Sequence, residues 1–319
     1  MGTILFARWW LEHLKSSGYF ELVCSKSTLA HFTWEKFQET PFPMVPLHDQ
    51  QIIAAYLDQE TGRIDALVER LVRLIALLTE KRQAVISHAV TKGLNPDAPM
   101  KDSGIDWLGE VPADWQVVPF TWMFTESKQR ALPGDVMLSA TQKYGVIPLD
   151  QFEELEGRSV TKAFSHLEKR KHVEIDDFVI SMRSADGGLE RARSNGSVRS
   201  SYTVLKRASD ADVEYFGYLL KSDQFIQALR SSVNFLRDGQ DFNFGHVRTI
   251  RLPKPTPSHQ AKIARYLDKE LGKIDGLVQN SRALVAQLKE RRSALISAAV
   301  TGQISIAEMT PDTQPEDAA

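Results

Sequence analysis

Apolar residues return every seven positions between Asp49 and Thr91: Leu57, Ile64, Leu71, Leu78 and Val85, with Ile53, Leu67 and Leu74 forming a second row. The same pattern runs from His259 to Thr301, through Leu267, Ile274, Leu288 and Leu295 and through Ile263, Leu277 and Leu284. Such heptads predict two long helices, each burying one stripe against a partner helix. At about 1.5 Å per residue, some 40 residues make a rod of roughly 60 Å. Both stripes are interrupted at matching places, by Glu60 and Lys81 in the first and by Glu270 and Arg291 in the second. A parallel pair in register sets like charges together. An antiparallel pair joins Glu60 to Arg291 and Lys81 to Glu270, so an antiparallel coiled coil is expected, with Ile64, Leu67, Leu71 and Leu74 facing Ile274, Leu277, Leu284 and Leu288.

The two stretches are copies. Tyr56 and Tyr266, Asp65 and Asp275, and Arg82 and Arg292 are each 210 residues apart, a match beyond what helical composition alone produces. The repeat reaches upstream: Phe32 and Trp34 fall on Phe242 and Phe244, Pro43 falls on Pro253, and Leu14-Lys15-Ser16 resembles Leu220-Lys221-Ser222. The chain is therefore expected to begin part-way through a first copy. Residues 3–20 read as a helix, with Trp9 and Trp10 on an apolar face expected to stay open and to drive poor solubility or a symmetric homodimer.

Between the copies the pattern changes. Residues 93–104 form a polar linker with turn residues. Beyond Ile105, VMLSAT, YGVIPL, DDFVISM and SYTVLKR alternate as strands, 152–171 is charged and partly helical, and 212–232 reads as a helix. The expected fold class is α+β, in five segments. Residues 1–46 are the remnant of a first α/β domain and 47–92 the first long helix. Residues 93–252 are the linker and a complete domain, 253–302 the second helix, and 303–319 a disordered tail.

Composition narrows the chemistry. The formal net charge of -2 gives no general affinity for nucleic acid, so any such role must rest on local charge. The single cysteine, Cys24, excludes an intramolecular disulfide and a cysteine-cluster zinc site, and fits a reducing cytoplasm. No apolar run approaches a membrane span. Phosphate loops, dinucleotide fingerprints, zinc-protease and nucleophile-elbow motifs are lacking. His166 and His172 lie too far apart to share a helix face, and Asp176-Asp177 reads as a solvated charged turn. No catalytic residue, metal or cofactor is assigned.

Local charge says more. Arg183, Arg191, Arg193, Arg199, Lys206 and Arg207 face only Asp186 and Glu190 in their stretch, among serines and glycines that allow close backbone approach. Arginine forks with small hydroxyl groups suit phosphates and guanine edges. A basic loop without a partner fits the composition equally well. Lys162, Lys169, Arg170 and Lys171 form a second basic cluster. The candidate DNA contacts are Gln142, Lys143, Tyr144, Arg183, Ser184, Arg191, Arg193, Arg199, Arg237 and Gln240.

Three runs are specific: Pro255 to Asp275 with Gln260, Ile263-Ala264, Tyr266-Leu267-Asp268 and Ile274-Asp275, in weaker form at Pro43 to Asp65; Leu288 to Gly302, LKERRSALISAAVTG; and WLGEVPADW, Trp107 to Trp115. Together with LSATQKYGVIP, DDFVISMRSADGGL and LRDGQDFNF they resemble the specificity subunits of type I restriction-modification systems. The resemblance implies a non-catalytic, cofactor-free cytoplasmic subunit that reads double-stranded DNA through target-recognition domains. It implies helices that space the half-sites and dock modification (methyltransferase) subunits, and restriction (translocase and nuclease) subunits as further partners. The chain departs from the family where most of a first recognition domain is expected. The competing reading is an interaction scaffold that holds modification subunits without specific DNA recognition.

Overall fold

The computed structural model describes residues 2–24, 32–160, 167–232 and 243–310. Two continuous helices dominate it, Leu47–Lys92 and Pro257–Val300, and each contributes to both of two units. One unit comprises Met1–Thr79 with Asp275–Ala319; the other is Glu80–Ile274. Among the described residues no helix is long and apolar enough to cross a membrane.

In the first unit, the start of the first long helix packs on the end of the second. Ile53, Ala54 and Leu57 share a core with Ile296, Ala299 and Val300, and Asp65 meets Arg292. Numbering rises along one helix as it falls along the other, so the segments are antiparallel here. The helix Gly2–Ser16 closes this core with Phe6 and Trp9. Trp9 is therefore buried rather than open, and the Trp10 indole donates to the Pro41 carbonyl at 2.7 Å.

The seam itself differs from the expectation. The Leu57, Ile64, Leu71, Leu78 row does turn inward, but its companions are Thr61, Val68, Ile75 and Arg82. The second helix turns the equivalent set inward, Leu267, Leu271, Ile274, Ser281 and Leu288 buried and Val278, Val285 and Arg292 half-buried. Leu67, Leu74, Leu277 and Leu284 are 40–54% exposed. Glu60, Lys81, Glu270 and Arg291 thus sit on the flanks. Glu60 is held by Arg63 and Glu270 by Lys273 at 2.6 Å, each within its own helix. Lys273 keeps the Glu270 carboxyl below its usual range, and Lys81 adds a smaller pull in the same direction. In place of Arg291, its neighbour Arg292 reaches across, donating from Nε to Asp65 Oδ1 at 2.8 Å and also bonding Glu12.

The second unit holds the strands. They are β1 (Met100–Asp102), β2 (Glu110–Pro112), β3 (Gln116–Pro119), β4 (Phe124–Ser127), β5 (Leu138–Thr141) and β6 (Gly145–Pro148). There follow β7 (Lys171–Val173), β8 (Phe178–Ile180), β9 (Glu190–Arg191), β10 (Gly196–Val198), β11 (Thr203–Arg207) and β12 (Arg251–Lys254). An antiparallel sheet runs β4-β11-β8-β9, flanked by the pairs β5-β6 and β7-β10. Buried Phe120, Phe124, Phe178 and Phe216 stack edge-on or tilted beneath it, the arrangement aromatic quadrupoles favour. The expected helix at 212–232 is two, Val213–Leu219 and Asp223–Ser232, and buried Ser222 accepts the Phe225 N–H at the start of the second.

Three ties hold this domain to the helix ends inside the same unit. The entry strand β3 pairs with the exit strand β12, Val118 opposite Leu252. The buried Tyr215 hydroxyl donates to the Val90 carbonyl at 2.9 Å. Gln260 accepts the Asp212 N–H at 2.8 Å and donates to the Pro255 and Asp210 carbonyls. The repeat reproduces this last device: Gln50 donates to the Val45 carbonyl at 2.8 Å, 210 residues before the Gln260–Pro255 bond.

Candidate nucleic-acid interface

Strand register decides where the candidate side chains lie. Thr203 opposes Ile180, so the turns at 181–183 and 199–202 leave the sheet at one end. Val198 opposes Lys171, and Lys171 Nζ donates to the Tyr202 carbonyl at 2.6 Å, which brings β7 to that same end. Phe178 opposes Arg191, so Arg191 belongs to the other end. The arginines of 183–199 are therefore divided: Arg183 and Arg199 on one side, Arg191 and Arg193 on the other.

Their availability differs as well. Ser184 is buried and its hydroxyl accepts the Ser181 N–H at 2.9 Å, which withdraws it from the surface. Arg191 donates to Asp176 at 2.9 and 2.7 Å and meets Glu214 at 2.6 Å, so its charge is already compensated. The Asp176-Asp177 pair is correspondingly no solvated turn: Asp177 is buried and takes Lys206 Nζ at 2.8 Å. Burial raises the Asp177 carboxyl above its ordinary range despite that lysine. Arg183, Arg193 and Arg199 are exposed. Arg237 and Gln240 lie outside the described residues.

Gln142, Lys143, Tyr144 and Arg193 come together around a cleft of about 570 Å³, with Glu190 and Lys221 also in its lining. Lys143 lies over the Tyr144 ring at 4.6 Å, and both reach Glu156, the Tyr144 hydroxyl donating at 3.0 Å. Lys221 Nζ bridges Glu190 Oε1 at 2.7 Å and the Gln142 carbonyl at 3.0 Å, which fixes the β5-β6 turn. Burial pushes the Glu190 carboxyl up to about 7, even with Lys221 pulling it down. A polar turn beside an exposed arginine can present donors and acceptors to base edges.

Outside the lining of this cleft stand further cations, Arg130, Lys169, Arg170 and Lys171, beside Arg199. The run Lys169-Arg170-Lys171 was visible as charge; nothing local marks Arg130, which joins it through a strand bridge to Lys171 and a bond to the Lys169 carbonyl. Among the described residues no group of His, Cys, Asp and Glu could hold a metal ion.

An α/β unit carried on duplicated long helices is a recognisable class of architecture. Solved structures share it: a chain from a structure concerned with assembly and conformational transition of a type I R-M system has a TM-score of 0.64 and 15% identity, covering 88% of this chain and 66% of that one. The HsdS subunit from Thermoanaerobacter tengcongensis has a TM-score of 0.50 and 15% identity, with 92% and 68% covered. No family model matches. In sequence the chain is 23% identical over 297 residues to the type I restriction enzyme EcoBI specificity subunit of Escherichia coli, covering 88% of this chain. It spans 62% of that relative's length. The chain is thus similar in sequence to that one specificity subunit and in fold to these two structures.

Proposed function

We propose that this protein is a DNA-reading, non-catalytic subunit of a type I restriction-modification complex, working in the cytoplasm without a cofactor. Residues 93–252 serve as linker and recognition domain and read half of a bipartite target. The long helices set the distance to the other half and dock modification subunits, with restriction subunits joining the assembly. The observation that carries this reading is the duplicated helix pair with its repeated end-anchors, Gln50 to Val45 and Gln260 to Pro255, in a fold shared with type I system structures.

A second half-site requires a second recognition domain, and a homodimer supplies one. Trp34, Phe37 and Met44 are exposed, Met44 at 98%, and offer the apolar area that Trp9 does not. Selection of binding duplexes from a random library, with the purified chain alone and with modification subunits, tests the function. The expected product is a fixed sequence; recovery of unselected DNA overturns the reading. Light scattering tests the dimer, which a monomer throughout the micromolar range excludes.

A further inference from the structure

We infer that Arg130, Lys169, Arg170, Lys171 and Arg199 form an edge that grips the phosphate backbone of duplex DNA. This rests on the DNA-binding reading and deepens it: contact with the backbone is separated from the Gln142–Tyr144 turn and Arg193.

The five cations are assembled by strand pairing. Arg130 bridges Lys171, Lys171 opposes Val198, and Arg199 follows Val198 directly. Neighbouring strands lie about 4.8 Å apart, so three adjoining segments form a short row of positive charge. Three of the five are anchored on neutral oxygens. Arg130 donates to the Lys169 carbonyl at 2.8 Å, Arg170 to the Ser197 hydroxyl at 3.0 Å and carbonyl at 2.5 Å, and Lys171 to the Tyr202 carbonyl.

Among the described residues none of the five makes an ion pair with a carboxylate. Arg191, Lys206, Lys221, Arg230 and Lys254 of the same unit do, whereas Lys101, Arg207 and Arg251 are likewise bonded to carbonyls but stand apart from one another in the sequence and are not joined by strand pairing to further cations. Acids do lie close by, and Glu168, beside Lys169, is itself engaged. Asp135 accepts from the Leu132 N–H and binds His172 at 2.9 Å, and Glu126 acts on Lys171 only at a distance.

Burial and like charges act on two of the cations. Burial, then the nearby Arg199, lowers the Arg170 pKa; burial lowers that of Lys171, opposed by Glu126 and, to a smaller extent, helped by Arg130. Like charges gathered in this way, Arg170 and Lys171 half-buried and the other three exposed, gain from a multivalent anion. A duplex backbone presents phosphates at a regular spacing and releases condensed counterions when they are neutralised. Phosphate contacts of this type position the protein without reading sequence.

The test uses the full chain and a fluorescent duplex containing its selected site, with affinity measured by anisotropy against KCl concentration. Arg130→Gln, Lys169→Gln and Arg199→Gln are each expected to reduce the slope of log K against log salt by about one. They should weaken selected and random duplexes by the same factor. Arg199→Lys should restore the slope, and Arg251→Gln, on the exposed β12 edge, should leave it unchanged. Circular dichroism melting confirms that each variant is folded. Folded variants with the wild-type slope, or with altered sequence preference, overturn this inference and leave the functional reading standing. A wild-type chain that ignores duplex DNA, or binds single strands equally well, overturns both.

Discussion

Arg292 on the second long helix donates to Asp65 on the first at 2.8 Å, and the same guanidinium bonds Glu12 of the N-terminal helix. One side chain thus ties three helical segments of a unit together at a seam position. Exposed pairs contribute little, about 0–1 kcal/mol each, so the apolar row must supply the stability while this contact selects register.

A double-mutant cycle of Asp65→Asn and Arg292→Gln should therefore return a coupling of roughly 1 kcal/mol or less at low salt, shrinking as salt screens it. Denaturant titrations measure it. Zero coupling at every salt concentration would remove the contact from the account of register.

Trp9 fills the first unit's core against Ile53, Leu57 and Val300. Trp9→Ala should cost about 3–5 kcal/mol, the usual range for emptying a buried tryptophan site. The comparison is Trp34→Ala, an exposed ring, which should move the denaturation midpoint little unless a partner is present. Equal effects from both would contradict the assigned burial.

The Glu190 carboxyl predicts a pH dependence. Its ordinary value is 4.5 and burial raises it to about 7 in the folded chain. Between those values the folded state binds more protons than the unfolded one, so stability falls as pH rises from about 4.5 to 7 and then levels. A rise of that size corresponds to about 3 kcal/mol. In Glu190→Gln most of this decline should vanish, while the smaller contribution of Asp177, also raised by burial, persists. Parallel pH profiles for wild type and variant would refute the assignment.

Gly188 has φ 76° and a Cβ there would meet the Leu220 carbonyl oxygen at 2.2 Å. Gly188→Ala should cost about 1–3 kcal/mol from backbone strain alone, with the clash added. Thermal melts measure it, and an unchanged midpoint would show that the turn relaxes freely.

Much of the architecture was legible because helical and strand periodicity are local. Tyr56 and Tyr266, or Asp65 and Asp275, announce the repeat without any structure. Which leucine row turns inward was not legible. Leu67 and Leu74 on one flank are as apolar as Val68 and Ile75 on the other, and the helix's rotation follows what packs against it, such as Trp9 on Leu57. The site was legible in the same measure. Sequence marked the basic stretches, but Arg191 is neutralised by Asp176 and Glu214, which only the fold brings near. Arg130 gained its place through a strand bridge that no local motif signals.

The three ties at the helix ends bear on how such a domain can be exchanged. A graft cut at residues 105 and 252 would separate Tyr215 from the Val90 carbonyl and leave the Gln260 amide facing a foreign loop in place of Asp210 and Asp212. A cassette whose borders fall before Val90 and after Gln260 carries every one of these bonds with it. The natural unit of transfer is thus the domain together with a turn or more of each helix, and donor sequences remain interchangeable only while those short helical borders stay alike.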